Sequence, residues 1–133
     1  MEPHLGGAIH DLSPVEAIRL HDQVFGRDET YSDPRTWAKY TVIIGNAAGF
    51  VAGYVKAGRP HLSLAAVAET ARGQGLYSRL ARAFASRMQT TTFTISTYPA
   101  RYPIMAAWID RHLDPDAPPP TETAGRLTAT VLL

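Results

Sequence analysis

The sequence contains no cysteine. That absence excludes a disulfide scaffold, a thiolate zinc site and a cysteine nucleophile. Histidines are few, and none stands at a spacing that holds a metal ion, so we expect no metal. They are His4, His10, His21, His61 and His112.

An excess of one charge and a long apolar run are also missing. The 133 residues carry a net charge of +1, so we expect neither nucleic acid nor a membrane surface as partner. No apolar run approaches the ~18–20 residues of a membrane span. Residues 1–4 lack the basic and then apolar layout of a signal peptide, which favours a cytoplasmic protein.

What remains is the composition of an ordinary globular chain, with 45% hydrophobic and 19% charged residues. This length fits one domain, over residues 1–133, with a core large enough to be stable without disulfide bonds.

Hydrophobic periodicity and turn residues predict a mixed α/β fold, with a central sheet flanked by helices. Ser13, Pro14 and Glu16 form a helix start, and Gly26 ends that helix. A polar loop follows over residues 26–31. The predicted strands are 5–12, 41–44, 50–55, 62–67, 91–97 and 126–133. The predicted helices are 14–25, a short helix that ends at Trp37, 75 to about 88, and 102–113.

The segment with the clearest chemistry is Arg72-Gly73-Gln74-Gly75, which lies between a predicted strand and a predicted helix. Glycines let the backbone approach a ligand with no Cβ in the way. The unpaired N–H groups of the first helical turn suit a phosphate, and Arg72 adds a charged donor. The pattern therefore predicts a site for an anion.

This turn, opening a helix after a hairpin and a strand, resembles the GCN5-related N-acetyltransferases (GNAT). The resemblance runs along nearly the whole chain. It implies a GNAT-like acyl-CoA N-acyltransferase fold and acetyl-CoA, or another acyl-CoA, as cofactor. The cofactor-binding residues that it implies are Ala65, Ala66, Val67, Arg72, Gly73, Gln74, Gly75, Leu76, Tyr77 and Ser78.

Acyl transfer to an amine needs a base for the amine and a proton donor for the leaving sulfur. Glu69, two residues past Val67, is the candidate base, and its alternative is a solvated turn residue or a partner of Arg72. Tyr98 and Tyr102 are the candidate donors, or else they pack as amphipathic aromatics.

The acceptor pocket of the family lies between its first two helices. Asp28, Glu29 and Tyr31 fall there, and the carboxylates of Asp28 and Glu29, with that of Asp33, would attract a cationic amine. A solvated loop is the alternative interpretation of these residues.

We therefore expect acetyl transfer to a small amine or an amino-acid-like acceptor, by direct attack. Two alternatives stay open: a module that binds CoA without turnover, and an enzyme that uses a donor other than CoA. The first alternative is favoured by two departures from the family pattern. No Asn follows residue 91, and Trp108 stands where the family has Tyr.

After the last predicted helix only one strand is evident, over residues 126–133. An unpaired edge invites a second chain, which predicts a homodimer through this strand. The competing hypothesis is that residues 121–125 form a short extra strand and the protomer closes on itself.

Overall fold

The computed structural model describes residues 6–133. Seven strands form one mixed sheet in the order β1-β2-β3-β4-β5-β7-β6. All neighbouring strands are antiparallel except β4 and β5, which are parallel. The strands are β1 (His10–Asp11), β2 (Val42–Asn46), β3 (Gly49–Lys56), β4 (Arg59–Val67), β5 (Thr92–Thr97), β6 (Thr121–Thr123) and β7 (Arg126–Leu132).

Four α-helices flank the sheet, and two short 3₁₀ helices cover Pro34–Trp37 and Glu69–Ala71. The α-helices are α1 (Pro14–Phe25), α2 (Glu29–Ser32), α3 (Leu76–Arg87) and α4 (Pro103–Arg111). Within the described residues, no helix has both the length and the apolar character that a membrane span requires.

A capping box fixes the start of α1, as the sequence predicts. Ser13 Oγ accepts the Glu16 N–H at 3.2 Å, and Glu16 Oε1 accepts the Ser13 N–H at 3.0 Å. The hydrogen bond from the Ser13 N–H stabilises the ionised carboxyl, and it therefore lowers the pKa of Glu16.

Two hydrophobic clusters lie on the two faces of the sheet. One packs α3 and α4 against the strands and is centred on Phe84, Leu80 and Ile95, all fully buried. The other packs α1 and the 3₁₀ helix at Trp37 against Phe50 and Ala52. Truncating a buried phenylalanine such as Phe84 to alanine costs about 3–5 kcal/mol.

The sheet opens between β4 and β5. Their parallel pairing covers only His61 with Thr94 and Leu62 with Ile95. In the pairing with β3, Leu62 lies opposite Gly53 and Leu64 opposite Ala52, so Ser63 is an extra residue that forms a β-bulge. The bulge sends Leu62 and Leu64 to different faces of the sheet.

Three predicted elements differ in the structure. The strand expected over 5–12 is reduced to His10–Asp11, and Leu5 lies outside the described residues. The loop expected over 26–31 contains α2, because the Asp28 carboxylate caps its N-terminus by accepting the Thr30 N–H. The expectation of a single strand after α4 is wrong, since β6 pairs with β7.

The edge of β7 is covered within the chain. Strand β6 pairs with the first half of β7. Further along, the Asp114 N–H donates to Thr130 O and the Leu132 N–H to His112 O, at 3.0 and 2.9 Å. Within the described residues the β7 edge on which the homodimer was argued is therefore paired, and the short extra strand of the competing hypothesis is present as β6.

Candidate active site

The opening between β4 and β5 continues into a cleft of about 990 Å³. One wall is formed by the end of α1 and the turn into α2, and the other by the start of α3 and by α4. The floor consists of residues 62–67 of β4 and 95–97 of β5. Among the described residues, β4 pairs with no strand on the β5 side beyond Leu62. That edge therefore offers free backbone groups to a ligand.

The glycine turn, residues 72–75, lies at the mouth of this cleft and leads into α3. Gly73 and Gly75 have φ values of +76° and +81°, the left-handed region that favours glycine. A Cβ on either residue would meet no atom within 4 Å, so the space above the turn is open. Gly75 caps α3 without a side-chain hydrogen bond, which leaves the first-turn N–H groups available.

Arg72 and Gln74 brace this turn from its two ends. Arg72 Nε donates to Val67 O at 3.1 Å, and the side chain lines the cleft. Gln74 Nε2 donates to Thr70 O at 3.1 Å, and Gln74 is not among the lining residues. Arg72 therefore stays available to an anion in the cleft, whereas Gln74 holds the turn.

Tyr77, Ser78 and Trp108 form the wall behind the glycine turn. Trp108 Nε1 donates to Ser78 Oγ at 2.9 Å, and the Tyr77 ring meets the indole edge-on at 4.7 Å between centroids. The Tyr77 hydroxyl is buried and has no hydrogen-bond partner among the described residues. Burial raises the pKa of Tyr77, so this group is a neutral donor that lacks an acceptor.

The two candidate proton donors both reach the cleft. Tyr98 follows β5 and is 48% exposed, and Tyr102 is the residue before α4. The Tyr102 ring packs against Phe25 of α1 at 5.8 Å between centroids. The structure therefore brings both phenols to the cleft, in the segment between the end of β5 and the start of α4.

Glu69 does not lie in the cleft. It is exposed on the 3₁₀ helix after β4 and is absent from the lining residues. The short helix turns the chain away from the strand axis and carries this carboxylate to the outer surface. The interpretation as a solvated turn residue describes Glu69, and the role of a base in a dry cleft has no structural support.

The predicted acceptor residues separate into two groups. Asp28 and Tyr31 line the cleft, whereas Glu29 is exposed and outside it. Tyr31 is half-buried beside His21, with ring centroids 4.6 Å apart, and burial raises the pKa of Tyr31.

His21 is the cleft residue that the sequence did not reveal. It is 4% exposed, lines the cleft, and its Nδ1 lies 3.3 Å from Asp22 Oδ1. Its Nε2 has no hydrogen bond within the described part of the chain. The sequence offered one signal for this residue: a histidine on the predicted inner face of α1, followed directly by an aspartate.

Comparison with solved structures finds the same fold in acetyltransferases. The PaiA N-acetyltransferase from Thermoplasma acidophilum, solved with coenzyme A, superposes with a TM-score of 0.70 at 9% identity, over 95% of this chain and 98% of that one. The ribosomal-protein-S18-alanine N-acetyltransferase from Escherichia coli gives 0.67 at 12% identity, over 94% and 92%. The chain has the GNAT fold.

A GNAT-family N-acetyltransferase from E. coli, also in complex with CoA, gives a TM-score of 0.61 at 19% identity, over 99% of this chain and 84% of that one. No family model matches the sequence, and a comparison with curated proteins finds no match. The GNAT fold predicted from the glycine turn and the order of elements is thus confirmed by the structure. Because the sequence identities are low, they show the fold alone, and the activity must be argued from the site.

Proposed function

We propose that this chain is an acyl-CoA-dependent N-acyltransferase that transfers an acetyl group to a small amine. One observation carries the proposal: the unpaired edge of β4 and the open glycine turn at the start of α3 lie on one continuous cleft. An extended arm can pair with the strand edge while its anionic end meets the first turn of α3.

The residues present fit a CoA molecule. The space above Gly73 and Gly75 is open, Arg72 offers its remaining guanidinium donors, and the buried Tyr77 hydroxyl lacks an acceptor. Residues 65–67 of β4 would hold the arm by backbone hydrogen bonds. When bound, an acyl-CoA supplies the acetyl group as an activated thioester.

The chain's own groups cover the proton transfers of direct attack. His21, oriented by Asp22, takes the proton of the amine at its free Nε2. Free backbone N–H groups on the β4 edge stabilise negative charge on the thioester oxygen. The phenol of Tyr102 or of Tyr98 returns a proton to the sulfur.

Asp28, one oxygen of which caps α2, offers its second carboxylate oxygen to a cationic amine before it is deprotonated. The amine is thus drawn to the end of the cleft where His21 and Tyr31 lie. A cytoplasmic location is part of this proposal.

A module that binds CoA without turnover is the second candidate. Trp108, which takes the position of the family's tyrosine, is committed to Ser78, and an indole N–H is a poor acid. This candidate predicts a CoA site with no consumption of thioester.

Free thiol release from acetyl-CoA, followed over a panel of amines, separates the two. We expect amine-dependent release, and loss of most of kcat in a Tyr98→Phe, Tyr102→Phe double variant that keeps its CoA affinity. CoA binding with no release on any amine would favour the second candidate. Absence of CoA binding would contradict both.

A further inference from the structure

The cleft is strongly basic although the whole chain is nearly neutral. Its lining contains one carboxylate, Asp28, against five basic side chains. These are Lys39, Arg72, Arg101, Arg111 and Arg126. The phosphates of CoA account for the cations near the glycine turn, but they do not account for cations at the acceptor end.

Arg126 is the cation that stands out. It begins β7, it is half-buried whereas the other four are exposed, and its side chain forms no ion pair or hydrogen bond with any described residue. A guanidinium that is partly removed from water without an acidic partner is costly, so an anion from outside would stabilise it.

Arg126 also lies where two cavities meet. Besides the cleft it lines a neighbouring hollow of about 380 Å³, which shares Tyr98 with the cleft and is otherwise formed by Thr123, Ala124 and Thr128. A ligand group bound to Arg126 would therefore lie beside the reaction centre, with polar space for a substituent behind it.

A second cation of the cleft lining lies beside Tyr40. Lys39 Nζ lies 5.2 Å from the centre of the Tyr40 ring, and Lys39 lines the cleft. The Arg126 charge acts on Tyr40 as well, opposing the rise that burial causes in the pKa of Tyr40. Tyr40 packs in the cluster on the α1 face of the sheet, whereas α3 and its glycine turn pack on the other face.

We propose that the amine acceptor carries an anionic oxygen group, a carboxylate or a phosphate, which Arg126 binds with Lys39 beside it. This inference rests on the proposed acyl transfer and names the class of its acceptor. The planar guanidinium matches either anion with two parallel hydrogen bonds, and the acceptor amine then faces Asp28 and His21.

Calorimetry on the full chain saturated with CoA tests this without any turnover. The probes are matched pairs: amino acids and their α-amides, and phosphoethanolamine and ethanolamine. We expect the anionic member of a pair to bind roughly 10–100-fold more tightly. A larger difference in affinity within the amino-acid pairs would indicate a carboxylate, and a larger difference between phosphoethanolamine and ethanolamine would indicate a phosphate.

Arg126→Gln should remove this difference and leave CoA affinity unchanged. Arg111→Gln, which alters another arginine of the cleft lining, should keep the difference. Arg126→Lys should keep part of it, and added salt should weaken only the anionic probes in the unmodified protein.

Equal binding of the two members, binding of no probe, or an undiminished difference in Arg126→Gln would overturn the subsite. The calorimetry contains no acyl donor and tests the subsite alone. Selective binding there, together with no thiol release in the separate acetyl-CoA assay, would overturn the enzyme proposal and leave the subsite in place.

Discussion

His61 Nδ1 lies 2.7 Å from Thr94 Oγ1, across the first of the two residue pairs that join β4 and β5 before the strands separate. His61 is 1% exposed, and its Nε2 has no partner among the described residues. Burial lowers the pKa of His61 from 6.5 to about 4, and the charges of Lys56 and Arg126 act in the same direction. The strands therefore meet at a neutral imidazole, directly below the cleft.

Stability should fall in acid because of His61. Above pH 6.5 both the folded and the unfolded chain keep the imidazole neutral; between pH 6.5 and 4 only the unfolded chain gains the proton. We expect a loss of at most about 3 kcal/mol over that range, measured by urea unfolding. His61→Gln should flatten this part of the curve, and a variant as pH-dependent as the unmodified chain would contradict the assignment.

The glycine turn should carry the CoA affinity. CoA should raise the melting temperature, because it binds the folded chain only. Arg72→Ala combined with Gly75→Val should abolish that shift, since the valine side chain fills the open space above the turn. Gly58→Val is the matched control: Gly58 has a φ of +77° and open surroundings too, but it lies in the turn between β3 and β4. A shift that survives the double change would place CoA elsewhere.

Glu69 and His21 should differ sharply in steady-state kinetics. Glu69→Gln should change kcat less than about twofold, because its carboxylate is on the outer surface. His21→Gln should lower kcat by roughly 10²–10⁴, while CoA affinity stays the same. The reverse pattern would restore Glu69 as the base.

Trp108 and Ser78 should show coupled stability. Trp108→Phe and Ser78→Ala each remove the 2.9 Å hydrogen bond, at an expected cost near 1 kcal/mol for the bond itself. A double-mutant cycle on the free energy of unfolding should give a coupling of that size. Additive losses would show that the indole is held by packing alone, against Tyr77 and the stacked His112.

Light scattering should report a monomer at micromolar concentration, because both halves of the β7 edge are covered. Removing residues 128–133 should prevent folding rather than separate two subunits, since Ala129 and Val131 belong to the core. A dimer would require an interface other than β7.

The long elements were predictable because local signals and burial agree in them. Ser13 and Glu16 form the capping box that predicts the start of α1, and the apolar residues of α3 recur at helical spacing. The glycine turn and the order of elements predicted the fold family through their resemblance to the GNAT pattern, which covers nearly the whole chain.

The short elements and the exact site were not predictable, for physical reasons. Strand β6 has three exposed residues and no hydrophobic alternation; the turn at Ala124 and Gly125, both with positive φ, creates it. Helix α2 has four residues. The position of Glu69 depends on a single 3₁₀ turn, and that of His21 on which face of α1 meets the sheet.

The bulge at Ser63 lets β4 carry one residue more than β3 without changing the layer to which its later residues point. Side chains alternate between the layers along a regular strand, so an extra residue without a bulge would invert the layer of every residue after it. Deleting Ser63 would leave Leu62 opposite Gly53 and Leu64 opposite Ala52, so residues 64–67 would keep their layers and the strand would lose only its local bend. Many side chains could replace this serine and keep that bend beside the cleft, whereas its deletion would straighten the strand there.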